Sequence, residues 1–252
     1  MATPVTLSEV HELTSEGGFQ CQNWVDMNSH GSTGGLLGST PLICGGNRNG
    51  ITSDTCYTLD KDEAKNVTKM LVKRAHSTSI IIDSNILWVT GGKDSETKIV
   101  YSSSEYVNIG FTNPGPDLPR PLFMHAMVSV QETITMVIGG ANLNGTTTDS
   151  DLTHIYDHKR ERWANGPTLN MGRASHAAFI VTDLVTDERL VIAAGGYQGS
   201  ITLNSTEILV GNRWSQGNNL TFYFYKSTDI RMNNWAIFEC KKYIVVIYFM
   251  LL

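Results

Sequence analysis

Histidine is the residue type in this chain whose spacing most suggests chemistry. Four of the seven histidines recur at similar intervals, as His30, His76, His125 and His176. Imidazole is a common ligand of transition metals, so a ring of these side chains would be a candidate metal site. None of the four has a carboxylate or thiolate companion at ligand spacing. We therefore interpret them as one repeated structural position and predict no bound metal.

Acidic clusters are the second candidate for chemistry. Asp60, Asp62 and Glu63 form one cluster, and Asp149 and Asp151 form another. Paired carboxylates can act as general acid and base, but both clusters lie in polar stretches that are typical of solvated loops. No nucleophile has a base at a meaningful spacing, and neither a P-loop nor a dinucleotide-binding glycine motif is present. The sequence therefore predicts no catalytic residues and no cofactor.

The four cysteines bear on the compartment. Cys44 ends one predicted strand and Cys56 begins the next, in CGGNRNGITSDTC, so a hairpin could place them opposite one another. Directly opposed strand residues allow a disulfide only at some pairings, so two buried free thiols remain the alternative. Cys21 and Cys240 lie in the flanking segments and would meet only if those segments pair. Four sequons, at Asn66, Asn144, Asn204 and Asn219, are close to the number that chance predicts from the composition.

Composition limits the classes of protein that these residues could serve. The chain has 252 residues, 41% of them hydrophobic and 17% charged, with a net charge of −5. This balance lacks the basic patch of a nucleic-acid or anionic-membrane binder. Residues 1–10 carry no signal-peptide pattern, which is typical of a cytoplasmic protein, or of a secreted one if the N-terminus is incomplete. Residues 243–252 are apolar but too few to span a bilayer; a buried strand is the simplest interpretation, with an incomplete C-terminus as the alternative.

The elements that must position these side chains are repeated. Four Gly-Gly pairs end four apolar runs, and their first glycines are separated by 46, 48 and 56 residues. Each pair follows two strand-like runs and precedes a polar loop, a third strand and a more polar fourth segment. The repeat glycines are Gly45, Gly46, Gly91, Gly92, Gly139, Gly140, Gly195 and Gly196. We therefore predict four-stranded antiparallel repeats of about 48 residues.

Such a repeat favours a propeller. A twisted four-stranded sheet has two faces to bury, so copies must stack around an axis. The glycine pair follows a strand that is covered on both faces, where the chain needs positive φ or the absence of a Cβ. The fold class is therefore predicted to be all-β, with four complete four-stranded blades.

At this point the sequence resembles the Kelch-repeat family, over about residues 20–240. Its pattern has a double glycine, then an aromatic residue and a Trp about seven residues later, and Arg and His open the next copy. Tyr156, Trp163, Arg173 and His176 fit that pattern. Elsewhere the match is partial, and the remaining structural aromatics are Tyr57, Tyr106 and Trp214, with Ala64 at the tryptophan position of the first copy and Ile208 at the tyrosine position of the fourth.

The resemblance implies one propeller domain over residues 1–252. Its repeats cover approximately 28–73, 74–120, 121–172 and 173–220. The flanks 1–27 and 221–252 would form a composite or incomplete fifth blade. A closed five-bladed ring and a truncated longer propeller both remain open, since Kelch rings typically have six or seven blades.

Function is expected to lie in loops on a rigid scaffold. The loops after the glycine pairs, 47–54, 93–101, 141–150 and 197–204, differ most between copies and could contact an unidentified protein or peptide. The resemblance thus implies a non-catalytic protein-binding module, without a membrane span or a nucleic-acid partner. The alternatives are a propeller-based enzyme, such as a copper oxidase or a sugar-processing enzyme, and a fragment of an extracellular Kelch protein. The galactose oxidases have a similar propeller, but no cysteine here matches their copper site.

Overall fold

The computed structural model describes residues 29–220, apart from 61–62, 84, 145 and 183–187, and four short strands outside that range. His11–Leu13 pairs with Phe19–Cys21, and Arg231–Met232 pairs with Trp235–Ala236. All the helix or strand structure in this part of the chain is β-strand. Cys240 and the predicted strand at 243–252 lie outside the described residues.

Four antiparallel sheets of four strands follow one another along the chain, and we call them units 1 to 4. Unit 1 contains Thr33–Leu37, Thr40–Cys44, Thr55–Asp60 and Glu63–Lys69. Unit 2 contains Thr78–Ile82, Ile86–Thr90, Ser104–Asn108 and Phe111–Pro114. Unit 3 contains Ala126–Gln131, Ile134–Ile138, Thr153–Asp157 and Arg162–Asn165. Unit 4 contains Ala177–Thr182, Arg189–Ala194, Thr206–Val210 and Arg213–Gln216. The all-β class and the four-stranded antiparallel repeat are confirmed.

Three of the loops after the glycine pairs are small β-ribbons, which the polar sequence did not predict. Asn47–Arg48 pairs with Ile51–Thr52, Ala141–Asn144 with Thr146–Asp149, and Tyr197–Gln198 with Ile201–Thr202. Backbone hydrogen bonding therefore orders the loops that were expected to carry recognition.

The core consists of apolar layers between neighbouring units. Leu42 of unit 1 packs in one cluster with Leu87 and Val107 of unit 2. Trp88 of unit 2 shares a second cluster with Val137 of unit 3. Further along the chain, the third cluster joins units 3 and 4 in the same way. Second strands are therefore buried on both faces, which explains their continuous apolar runs.

The first strands of successive units contact one another, in the order Thr33–Leu37, Thr78–Ile82, Ala126–Gln131 and Ala177–Thr182. Arg231–Met232 also contacts Thr33–Leu37. Antiparallel pairing brings the glycine pairs, the loops that follow them and the connectors between units to one side of the sheets, which we call the glycine rim. The turns within the first and second hairpins of each unit lie on the other side, the opposite rim.

Candidate functional site

The glycine pairs fix the backbone of the glycine rim. All eight glycines have positive φ, from 59° to 99°. The amide of Gly92 donates to the carbonyl of Leu122 over 2.8 Å, and a Cβ on Gly91 would lie 2.3 Å from the same oxygen. The connector to the next unit therefore passes too close to Gly91 for a residue with a Cβ at that position.

A ladder of backbone hydrogen bonds joins the residues that open the units. The amide of His76 donates to Gly31 O over 2.7 Å, that of Met124 to His76 O over 2.8 Å, and that of Ser175 to Met124 O over 2.8 Å. All four residues have left-handed backbones, with φ between 52° and 69°. Only one of them is a glycine, so the position is defined by its hydrogen bonds.

This ladder corrects our interpretation of the four histidines as one repeated position. His76 lies on the ladder, whereas His30 precedes the ladder residue Gly31, and His125 and His176 follow Met124 and Ser175. The rings of His30 and His76 lie 5.8 Å apart, while His125 contacts Thr90 Oγ1 through Nε2 over 2.8 Å. Their similar spacing in the sequence was therefore misleading, because the four histidines occupy three different structural positions.

A buried arginine anchors the connector before unit 2. The guanidinium of Arg74 donates from Nη1 to the carbonyls of Gly91 and Ser103, and from Nη2 to the carboxylate of Glu105. Both side chains are almost fully buried. The same carboxylate accepts from the backbone amides of Leu71 and Val72. One ion pair thus ties the connector to the second and third strands of the next unit.

Unit 4 repeats this arrangement. Arg173 donates from Nη1 to the carbonyls of Gly195 and Ser205, over 3.0 and 3.1 Å, and from Nη2 to Glu207 Oε1, over 2.7 Å. Glu207 also accepts from the amides of Asn170 and Met171. We call the two arrangements, Arg74–Glu105 and Arg173–Glu207, the arginine clamps.

Unit 3 lacks a clamp because both partners are replaced together. Leu122 stands at the arginine position and His154 at the glutamate position. His154 is buried, and burial lowers its pKa, as does the charge of Arg120. A neutral imidazole opposite a leucine avoids leaving a charge buried without a partner.

Three of the four glycine-rim loops have an exposed isoleucine at the same position, which we call the matched position. It is defined by a backbone hydrogen bond: the residue two places after it, Ser53, Tyr101 or Leu203, donates its amide to the carbonyl of the second glycine of the pair. The residue at the matched position is Ile51 in unit 1, Ile99 in unit 2 and Ile201 in unit 4, and these are 58%, 51% and 64% exposed. Thr148 takes this position in unit 3. The sequence held a signal for two of them, since Ile51 and Ile201 each follow the first glycine by six residues.

Contacts between the first two loops hold them together. The amide of Ser95 donates to Thr52 Oγ1 over 2.9 Å, which joins the unit 2 loop to the unit 1 loop. Asp94, buried beside them, accepts from the amide of Glu96 and the hydroxyl of Thr97. Burial alone would raise the pKa of Asp94, but these hydrogen bonds outweigh it and hold that pKa below its ordinary value. The carboxylate is therefore a structural cap.

The predicted structural aromatics fall at different register positions. Trp163 pairs with Tyr156 and Trp214 with Leu209, so the two tryptophans are equivalent, as predicted. The residue equivalent to Tyr156 in unit 4 is thus Leu209 and not Ile208, which was predicted there. Each tyrosine can be placed by its partner on the second strand and by the distance of that partner from the glycine pair. By this measure Tyr106 lies one residue before the position of Tyr156, and Tyr57 lies two residues before it.

Between units 2 and 3 the aromatics form one cluster. The ring of Trp88 lies 5.3 Å from Tyr156, 5.2 Å from His158 and 6.0 Å from Trp163. Burial raises the pKa of Tyr106, at the edge of this cluster, to about 12. These side chains fill the space between the units, and their role is packing.

Cys44 and Cys56 are directly opposed in the second and third strands of unit 1, and they form a disulfide. Both are completely buried. Of the two alternatives that the sequence left open, the structure has the disulfide.

Two further observations concern only the part of the chain that the structure describes. No group of three His, Cys, Asp or Glu side chains there could hold a metal ion. Nor does that part contain a helix with the length and hydropathy that a membrane crossing requires.

Comparison with known proteins identifies the fold alone. No protein-family model matches the chain, and no curated protein matches it. Among solved structures 171 chains match. One is the propeller protein in "Structure of YjhT", with a TM-score of 0.63 at 17% sequence identity. The match covers 77% of this chain and 66% of that one, so the chain spans just under two thirds of the solved structure.

Proposed function

We propose that this chain is a Kelch-type propeller that binds a protein or peptide through its glycine rim and has no catalytic activity. The observation that carries the proposal is the matched isoleucine, at least half exposed on the loops of units 1, 2 and 4. Large apolar side chains at equivalent positions on one rim are what a recognition surface needs at its centre.

Rigidity supports the same function. The isoleucines lie on loops whose backbones are tied to the glycine pairs, and the first two loops are tied to each other through Thr52 and Ser95. Ordered loops lose little conformational entropy on binding, so a larger part of the contact energy remains as affinity. A peptide lying across several loops would bury roughly 800 Å² per partner.

A composite fifth blade is part of the proposal. The contact of Arg231–Met232 with the first strand of unit 1 supports a C-terminal segment beside the N-terminal unit. Limited proteolysis tests closure. A closed ring resists cleavage between residues 226 and 242, whereas rapid trimming there would show a truncated propeller.

Binding is tested by selecting peptides from a random display library on the wild-type chain. We expect the selected peptides to lose at least about tenfold in affinity for the variant carrying Ile51→Ser, Ile99→Ser and Ile201→Ser. The matched control carries Leu36→Ser, Ile109→Ser and Val210→Ser, three exposed apolar residues at the opposite rim. Equal losses in both variants, or none in the first, would refute the glycine rim as the binding surface.

The enzyme alternative has its own test. Stoichiometric copper in the purified protein, or turnover in a screen of sugar oxidation and sugar isomerisation, would replace the binding function by a catalytic one. Retained peptide binding without turnover supports the proposal.

A further inference from the structure

We propose that Asn66 is an N-glycosylation site and that its glycan covers the outer edge of unit 1. The inference is independent of the binding function. It starts from the tripeptide Asn66–Val67–Thr68, which has the Asn-X-Thr pattern that oligosaccharyl transfer requires. The pattern alone is common, so the proposal depends on where the structure places these residues.

Asn66 lies on the last strand of the unit 1 sheet. That strand, Glu63–Lys69, pairs on one side with Thr55–Asp60 and ends the four-stranded order of the sheet. Asn66 itself is exposed, as are its neighbour Lys65 and the strand's last residue Lys69. A glycan on this side chain therefore extends into solvent without displacing the apolar layer between units 1 and 2.

The local backbone also sets this tripeptide apart. Asn66 pairs with Tyr57, whereas Thr68 pairs with Cys56, so Val67 is an extra residue in a β-bulge. Bulges twist the edge of a sheet and interrupt its regular pairing. Within the described part of the chain no further strand pairs with this edge, so a bulky modification is tolerated there.

The disulfide indicates the compartment in which the chain would meet the oligosaccharyl transferase. Cys44, Cys56 and Thr68 lie in one row across three neighbouring strands. Disulfides form and persist in oxidising compartments, and the secretory pathway of eukaryotes is both oxidising and the site of N-glycosylation. A chain that oxidises Cys44 and Cys56 there also exposes the Asn66 tripeptide to the transferase.

The other sequons have weaker structural support. In Asn204–Ser205–Thr206 both hydroxyl residues have a role in the fold, because Ser205 Oγ accepts from Arg173 and Thr206 Oγ1 donates to Asn218 O. That tripeptide is therefore explained by an arginine clamp and by a turn. The side chain of Asn144 and the threonine of the sequon at Asn219 lie outside the described residues.

The reaction is an ordinary glycosyl transfer. The Asn66 amide nitrogen attacks the anomeric carbon of a lipid-linked oligosaccharide donor. A carbon–nitrogen bond forms, the bond from that carbon to the lipid pyrophosphate breaks, and the pyrophosphate and one amide proton leave. The product shields the outer edge of unit 1 from pairing with another chain.

The test is peptide mapping of the protein isolated from the cells that make it, and of the chain directed into the secretory pathway of a eukaryotic host. Enzymatic release of N-glycans in ¹⁸O-labelled water turns a glycosylated Asn66 into labelled aspartate. We expect label at residue 66 in most molecules, in chains whose Cys44 and Cys56 are oxidised.

Three variants keep the test specific. Thr68→Ala and Asn66→Gln should each abolish the mass of one glycan, whereas Thr68→Ser, which keeps a hydroxyl, should retain it. The unglycosylated variants should also form several-fold more high-molecular-weight species on storage. An unmodified Asn66 in the native protein would overturn the proposal. So would a glycan mass that is missing from Thr68→Ser, or one that is retained in Thr68→Ala.

Discussion

Arg173 Nη2 and Glu207 Oε1 lie 2.7 Å apart, with the arginine side chain completely buried and the glutamate 4% exposed. The two residues belong to different parts of the repeat, since Arg173 precedes unit 4 and Glu207 lies in its third strand. Burying both charges is tolerated because each has further backbone partners. The pair therefore links a connector to the unit that follows it, as Arg74 and Glu105 do before unit 2.

Removing one partner of this clamp should destabilise the fold strongly. Arg173→Met leaves the Glu207 carboxylate buried without its cation, and we expect a loss of about 3–5 kcal/mol in the free energy of unfolding. Arg160→Met is the matched control, because Arg160 pairs with Asp157 while its own side chain is 68% exposed. Chemical denaturation of both variants measures the difference; similar midpoints would show that the clamp contributes little.

Unit 3 should accept a transplanted clamp. Leu122→Arg and His154→Glu together recreate the pair found in units 2 and 4. We expect each single variant to be destabilised, because each buries one unpaired charge, and the double variant to recover most of the loss. A double-mutant cycle from denaturation midpoints measures the coupling. Additive losses would mean that the surroundings of unit 3 have diverged beyond these two positions.

Stability should fall with mild acid because of His154. Burial lowers its pKa in the folded chain, so below about pH 6.5 the unfolded chain binds a proton that the folded chain does not. The free energy of unfolding then decreases as the pH falls from 6.5 towards the folded-state pKa. Denaturation midpoints between pH 7.5 and 5.5 test this. His154→Gln should flatten the dependence, and an unchanged slope would assign the effect to another group, with His158, whose pKa burial also lowers, as the first to examine.

The disulfide should stabilise unit 1. Cys44 and Cys56 are separated by 12 residues, and closing a loop of that length constrains the unfolded chain by about 3 kcal/mol. The double variant Cys44→Ala, Cys56→Ala should lose an amount of this order. The wild-type chain should lose a similar amount when a reductant is added under denaturing conditions, whereas the variant should not respond to it.

The glycine pairs can be separated from ordinary turn glycines by substitution. Gly91 and Gly38 have nearly the same φ, 59° and 61°, but only Gly91 has a carbonyl 2.3 Å from the position of an added Cβ. Gly38→Ala should cost about 1–2 kcal/mol for the left-handed backbone alone. Gly91→Ala should cost at least twice as much, or prevent folding, because the Leu122 backbone must move. Comparable thermal unfolding temperatures for the two variants would contradict this.

The repeat could be predicted from the sequence because its signals are local. An apolar run ended by Gly-Gly identifies a strand that is buried on both faces and turns sharply, and four copies at similar spacing left little choice of fold. The same spacing misled us for the histidines and tyrosines. An offset of one residue exchanges the two faces of a strand, so Tyr106 and Tyr156 look equivalent in the sequence and are not in the sheet.

The pattern of the repeat marked Arg173, but the pairing of the clamp arginines with glutamates lay beyond sequence reasoning for a different reason. Arg74 and Glu105 are 31 residues apart, and neither is unusual in its own segment. Only the path of the connector over the glycine rim brings them together. The exposed isoleucines were missed because the loops were expected to be polar and irregular, whereas matched hydrogen bonds give three of them a common position.

The ladder of Gly31, His76, Met124 and Ser175 has an evolutionary consequence. Its bonds join main-chain atoms only, so a gene segment could be duplicated or lost without any matching change of side chains along that seam. The arginine clamps show that such a duplicated segment must begin before the first strand of its unit. Since Glu105 holds the amides of Leu71 and Val72, a recombined unit 2 would have to carry its connector from Leu71 onward. Exchange points for shuffled or lengthened propellers should therefore be placed just before that connector.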